Sequence, residues 1–182
     1  MPDLSIFKDP APYHIITYGT LLGTQVFQSF IGGVVAYKAL PRPQFSQLQE
    51  KIFPVYFGMQ TIFPTVLALT YPGSLLLGTP SSIKGAFAEV NRWSVLVPLG
   101  TMFLSGLINM LYVGPKTTKI MKLRKHQETR DGKKSYDAGP HSTEMQNLNR
   151  SFGMMHGISS LINMGALVAT ISYGFTLAAR IH

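Results

Sequence analysis

The sequence predicts an all-α integral membrane protein. Four membrane-spanning helices form a bundle, the second kinked at proline and the fourth extending beyond the bilayer. Three observations lead there. Charged residues make up 13% of the 182-residue chain, about half the usual share. They sit in short blocks, and the four stretches between them contain no Asp, Glu, Lys or Arg. Each stretch has the roughly 20 residues needed to cross a hydrocarbon core. Mean hydropathy is only +0.17, because a polar segment of more than thirty residues dilutes the apolar ones. The chain reads as a single transmembrane domain over 1–182, with spans at about 14–37, 52–77, 93–113 and 152–179 and a basic loop with helical extensions at 114–150.

The first dozen residues, with three prolines and two acids, read as an irregular lead-in and resemble neither a secretory signal nor an Arg-rich transit peptide. The first span then carries Gly19 and Gly23, one helical turn apart, a spacing that lets helices approach closely in lipid. Phe45 to Ile52 reads as a brief amphipathic helix at the membrane surface, starting after Pro43. In the second span Pro54 suits a helix start and Pro64 predicts a kink. Trp93 anchors the third span at the interface, and Gly114-Pro115 ends its apolar stretch without having to end its helix. The segment after it holds Lys116, Lys119, Lys122, Arg124 and Lys125, as in a basic helix leaving the membrane. Asp131-Gly132-Lys133-Lys134 and Ala138-Gly139-Pro140 mark a flexible centre. Ser142 is placed to cap a last helix, since Met145, Leu148, Phe152 and Met155 recur at helical spacing. That helix would run from about Ser142 to Ala179, longer than the bilayer is thick.

Polar residues inside the spans are the candidate site, because hydrocarbon penalises polar groups that lack partners. His156, Ser159, Ser160 and Asn163 share one helical face, and Gln25, Gln28, Gln60 and Asn109 lie in the other spans. Together Gln25, Gln28, Gln60, Asn109, His156, Ser159 and Asn163 form a predicted intramembrane cluster, with Gly153 and Gly157 joining Gly19 and Gly23 as packing positions. His156 admits two readings, a proton or metal site or a fastener between helices. Proton-driven transporters place a carboxylate in the membrane, and none of the spans has one, which favours the fastener.

The same inventory narrows the chemistry. The chain has no cysteine, which removes disulfides, thiolate metal sites and cysteine nucleophiles. Met154, Met155, His156 and Met164 are donors for a soft metal, but Met-x-x-Met arrays are missing and methionine commonly fills helix interfaces. Ser159 or Ser160 lies near His156 with no acid to orient the imidazole, and no phosphate-binding glycine loop is present. No catalytic residues, metal or cofactor are therefore expected, and the chain reads as a non-enzyme. The net charge of +8 points to membrane topology and anionic lipid headgroups as partners, with Lys116, Lys119, Lys122, Arg124 and Lys125 facing them. Nucleic acid is not expected, since the basic loop lacks interleaved aromatics. Loops 38–51 and 114–151 hold twelve of the sixteen Lys and Arg. This excess places both loops on the positive-inside face and the termini opposite.

Three stretches carry a resemblance. They are Phe45-Ser-Gln-Leu-Gln-Glu-Lys-Ile-Phe-Pro54-Val-Tyr56-Phe57, Asn109-Met-Leu-Tyr-Val-Gly-Pro115-Lys-Thr117-Thr-Lys-Ile-Met121, and Phe152-Gly-Met-Met-His156-Gly157-Ile-Ser159-Ser160-Leu-Ile-Asn163. In this order they resemble the transmembrane protein 205-like family, the four-helix membrane domain of unknown function DUF4149. The resemblance implies a small four-helix integral membrane protein of eukaryotes with no established catalytic activity, and the expected location is a mitochondrial or endomembrane bilayer. Two function classes follow. One is a subunit, assembly or regulatory factor docking on other integral membrane proteins or on copies of itself. The other is a small-solute or soft-metal transporter using the polar cluster.

Overall fold

The computed structural model describes residues 7–74 and 77–179. These are helical apart from their connections and one isolated antiparallel bridge between Ser74 and Thr79. Helix α1 (Pro10–Val26) passes through a π-helical turn, Phe27–Gly32, into α2 (Gly33–Ala39). Its start is coded locally: the Asp9 side chain accepts from the Ala11 N–H, and Pro10 fills the first turn, where its missing donor costs nothing. The helix thus begins within the expected lead-in.

Helix α3 (Arg42–Leu69) is one continuous element of 28 residues. The separate surface helix expected over Phe45 to Ile52 is its first turns. Tyr37 and Arg42 hold that end, the guanidinium lying 3.5 Å from the ring centroid, and Lys122 reaches Glu50 at 3.1 Å. Both Pro54 and Pro64 lie inside α3 without ending it. The helix stops at Leu69, short of the expected boundary at 77, because Tyr71-Pro72-Gly73 turns the chain, with Gly73 at φ +79°. Leu75 and Leu76, placed in the second span by their hydropathy, lie outside the described residues.

A short α4 (Ile83–Ala86) and a single 3-10 turn, Glu89–Asn91, lead into a long rod. The rod consists of a π-helical turn (Arg92–Leu96), α5 (Val97–Ile108), a second such turn (Asn109–Val113) and α6 (Gly114–Asp131). The Val97 and Gly114 N–H groups donate five residues back, to Arg92 and Asn109. Pro98 and Pro115 each follow one of these wide turns. A proline ring presses on the carbonyl four residues back, here that of Ser94 or Leu111, and the wider turn makes room for it. Helix α7 (Thr143–Ala178) has 36 residues, about 54 Å at 1.5 Å each. Ser142 caps it, accepting from the Met145 N–H.

Among the described residues three helices are long and apolar enough to cross a membrane, Arg42–Leu69, Glu89–Asp131 and Thr143–Ala178, and they fit a membrane-embedded protein. The run over 10–39 is helical too, but Gln25, Gln28 and its threonines dilute its hydropathy. Helix α3 packs on α5, α5 on α7, and α1 on both α3 and α7. Gly106 is where α5 meets α3 most closely: an added Cβ would lie 2.7 Å from the Gln60 carbonyl carbon. The apolar core gathers toward one end, where Leu21, Leu67, Tyr71, Val95, Leu99, Met102 and Tyr173 meet.

At the other end α6 and α7 form a hairpin, and its centre is built, where the sequence suggested flexibility. Gly132 at φ +61° ends α6, the Ser135 hydroxyl donates to Glu128 at 2.5 Å, and Ser142 donates to Asp131 at 2.7 Å. Arg124 donates to Asn149 at 2.8 Å and covers the Phe152 ring. Burial of Arg124 lowers its pKa, and Glu128 opposes the shift.

Candidate functional site

The polar groups inside the bundle form two tiers. The first is a junction centred on His14, which is fully buried. Its Nε2 lies 2.7 Å from the Tyr173 hydroxyl on α7, and its Nδ1 lies 3.2 Å from the Thr70 hydroxyl at the end of α3. Thr70 gives its own proton to the Val66 carbonyl, so its oxygen accepts from Nδ1–H, and Nε2 is left to accept from Tyr173. This pattern is satisfied by a neutral imidazole. Tyr71 meets the ring edge-on at 6.4 Å. Asn91 donates to the Tyr71 hydroxyl at 3.0 Å and to the Gly85 carbonyl at 2.7 Å, tying the connection after α3 to the same point.

The second tier follows from the register of the antiparallel helices. Gln25 lies eleven residues along α1 from His14, Gln60 ten before Thr70 on α3, and Asn163 ten before Tyr173 on α7. Each step is about 15–17 Å at the helical rise, so all three fall at one depth. Asn109 on the rod joins them, its Nδ2 donating to Asn163 Oδ1 at 3.2 Å. Gln25, Gln60 and Asn109 are at most 1% exposed. Gln60 donates to the Tyr56 hydroxyl at 2.9 Å. Among the described residues both polar atoms of Gln25, Gln60 Oε1 and Asn109 Oδ1 have no hydrogen-bond partner. The tier contains carboxamides and no formal charge, so it can offer dipoles and hydrogen bonds to a guest but no general base. Among the described residues no group of three or more His, Asp or Glu is placed to hold a metal.

Four of the seven predicted cluster residues, Gln25, Gln60, Asn109 and Asn163, therefore share this tier. Gln28 does not; it points to Gln49, with Nε2 at 3.4 Å. His156 is exposed, Ser159 only half-buried, and the His156 ring stacks on Phe152 at 6.0 Å. Next to it Met155 is buried, and His156 is turned about 100° from Met155. Asn163, seven residues on and within about 20° of the His156 direction, reaches Asn109 because the rod stands opposite it there. The predicted glycine contacts differ as well. A Cβ added at Gly19, Gly23, Gly153 or Gly157 would meet nothing within 4 Å, so these positions are not where this chain packs on itself. Close approach falls to Gly106, Gly114, where Phe57 packs, and Gly174, where the Tyr18 hydroxyl abuts.

The junction at His14 was not picked out by sequence reasoning, which treated His14 as the edge of a span. A signal was present: His14, Tyr18, Leu21 and Gln25 recur at the four-three-four spacing of a packed helix face. Of the five predicted headgroup cations, Arg124 is committed to the hairpin and Lys122 to Glu50, whereas Lys116 and Lys119 stay exposed beside Tyr112.

Residues 16–126 match the domain of unknown function DUF4149. The chain belongs to the DUF4149 family. A relative within reach is the "Xanthocillin biosynthesis cluster protein D" of Aspergillus fumigatus. It is 32% identical over 170 residues, covering 93% of this chain and 90% of that protein. No solved structure matches the chain. The matched part of this DUF4149 protein holds Gln25, Gln60 and Asn109, while α7, with Asn163 and Tyr173, lies beyond residue 126.

Proposed function

We propose that this DUF4149 protein is a non-enzymatic membrane subunit, assembly or regulatory factor that docks on other integral membrane proteins or on copies of itself. In this reading the run over 10–39 crosses the bilayer as well, completing a four-helix bundle with a bend at Pro64. Loops 38–51 and 114–151 face the positive-inside side of a mitochondrial or endomembrane bilayer. The observation carrying the proposal is an outward face of α7. Gly153, His156 and Ser160 are exposed there with Gly157 half-buried beside them, and among the described residues nothing would lie within 4 Å of a Cβ added at either glycine. Small residues beside an imidazole suit a second helix, which gains close backbone approach and a hydrogen bond. Gly19 and Gly23 offer a comparable face on α1. The relative's name places it in a biosynthesis cluster, which fits a membrane component working beside other proteins.

The test is native-gel migration of the protein extracted in mild detergent from its own membrane. Gly153→Leu with Gly157→Leu should shift it to a smaller species while leaving its thermal unfolding unchanged. Unchanged migration would defeat the docking reading at this face. The second reading, transport of a small polar solute, is favoured by the unpaired buried atoms of Gln25, Gln60 and Asn109. Solute uptake in liposomes that disappears on Gln25→Leu, with assembly intact, would support it instead.

A further inference from the structure

The geometry points to a binding site for one anionic phospholipid on the outer face of the rod where α6 leaves the membrane. This deepens the headgroup contact expected of the basic segment by reducing it to two residues and a groove. An open hollow at the surface, walled by this one helix, is lined there by Tyr112, Pro115, Lys116, Lys119, Ile120 and Leu123. These positions follow one another at helical spacing on a single face. Lys116 is held over the Tyr112 ring at 5.4 Å, which fixes one charge at the rim of an apolar floor.

Three observations choose the occupant. The first is charge: both cations are exposed, and the hollow's lining contains no carboxylate. The nearest basic neighbours are already engaged, Lys122 with Glu50 and Arg124 with Asn149. The second is continuity. Below Tyr112 the same side of the rod stays apolar and uncovered through Leu111, Ile108 and Leu104, each at least 45% exposed. The third is depth. Asn109 meets Asn163 and Arg124 meets Asn149, and this register sets Lys116 level with His156 on α7. His156 lies about 25 Å along α7 from Tyr173 at the helical rise, near the far boundary of a 30 Å hydrocarbon core. A phosphate between the lysines with an acyl chain along Leu111, Ile108 and Leu104 satisfies all three. An acidic peptide would satisfy only the first.

Native mass spectrometry of the detergent-purified protein, supplied with phosphatidylglycerol or with phosphatidylcholine, tests the site. The intact protein should retain phosphatidylglycerol in preference. Lys116→Gln with Lys119→Gln should weaken retention about thirtyfold, taking two cations at the usual worth of each near a bilayer surface. Lys38→Gln with Lys51→Gln, the same charge change on the same side, should leave it unchanged. Lys116→Arg with Lys119→Arg, which keeps both charges, should retain the lipid and shows that the fold tolerates change here. Equal loss in both Gln pairs overturns the site in favour of diffuse attraction. Loss in neither overturns the headgroup reading altogether. Displacement of the lipid by inorganic phosphate or a glutamate-rich peptide overturns the lipid as the occupant.

Discussion

Replacing Tyr173 by Phe removes one hydroxyl from the junction of α1 and α7 and leaves the ring, 1% exposed, in place. The partner it abandons is His14 Nε2, at 2.7 Å in a fully buried imidazole. Stranding a buried acceptor costs about 1–3 kcal/mol in soluble proteins. Hydrogen bonds between membrane helices average about 0.6 kcal/mol and reach about 1.7. The expected loss is therefore about 1 kcal/mol. His14→Ala removes the contacts with Thr70 and Tyr173 together with the ring that fills the space beside Tyr71. It should cost about 2–4 kcal/mol, in the range of other large-to-small core changes. His156→Ala removes only an exposed ring stacked on Phe152 and should stay within about 0.5 kcal/mol. Reversible unfolding in mixed micelles, followed by circular dichroism, ranks the three. A double-mutant cycle of Tyr173→Phe with His14→Phe then isolates the pair. If His156→Ala proves as costly as His14→Ala, or the cycle shows no coupling, the assignment of the junction is wrong.

The remaining predictions use the same assay unless stated. Gly106→Ala should destabilise by about 1–3 kcal/mol, because its Cβ would sit 2.7–2.8 Å from the α3 backbone at Gln60 and Thr61. Gly23→Ala, with nothing within 4 Å, should be neutral or slightly stabilising through helix propensity. Asn91→Ala should cost about 2 kcal/mol by stripping donors from Tyr71 and the Gly85 carbonyl, and protease should cut first in the connection over 77–91. Arg124→Ala should loosen the α6–α7 hairpin through loss of the Asn149 bond and the Phe152 contact, read as faster hydrogen exchange over 124–149 with unfolding of the spans unchanged.

What could be read without a structure depended on range. Helix starts were legible where the signal is local: Ser142 sits three residues before the N–H it caps. The apolar stretches were legible because crossing a hydrocarbon core demands length and an absence of charge, both additive along the chain. The end of α3 was missed because Leu75-Leu76-Leu77 prolongs the hydropathy, while Gly73 and the Ser82 N–H bond to the Tyr71 carbonyl turn the backbone first.

Sequence alone named Gln25, Gln60, Asn109 and Asn163, which share one tier, together with Gln28, Ser159 and His156, which do not join it. Only the tertiary structure decided which histidine is enclosed. Stripes through Met155 and through His156 are both compatible with helical spacing. They differ by about 100° of rotation, which no periodicity resolves once both carry polar and small residues. The choice was made by what stands opposite: Thr70 and Tyr173 converge on His14 from α3 and α7. The same holds for glycine, where Gly23 and Gly106 look alike in a sequence and differ in having a neighbouring backbone against them. Burial belongs to pairs of surfaces, and a sequence specifies one surface at a time.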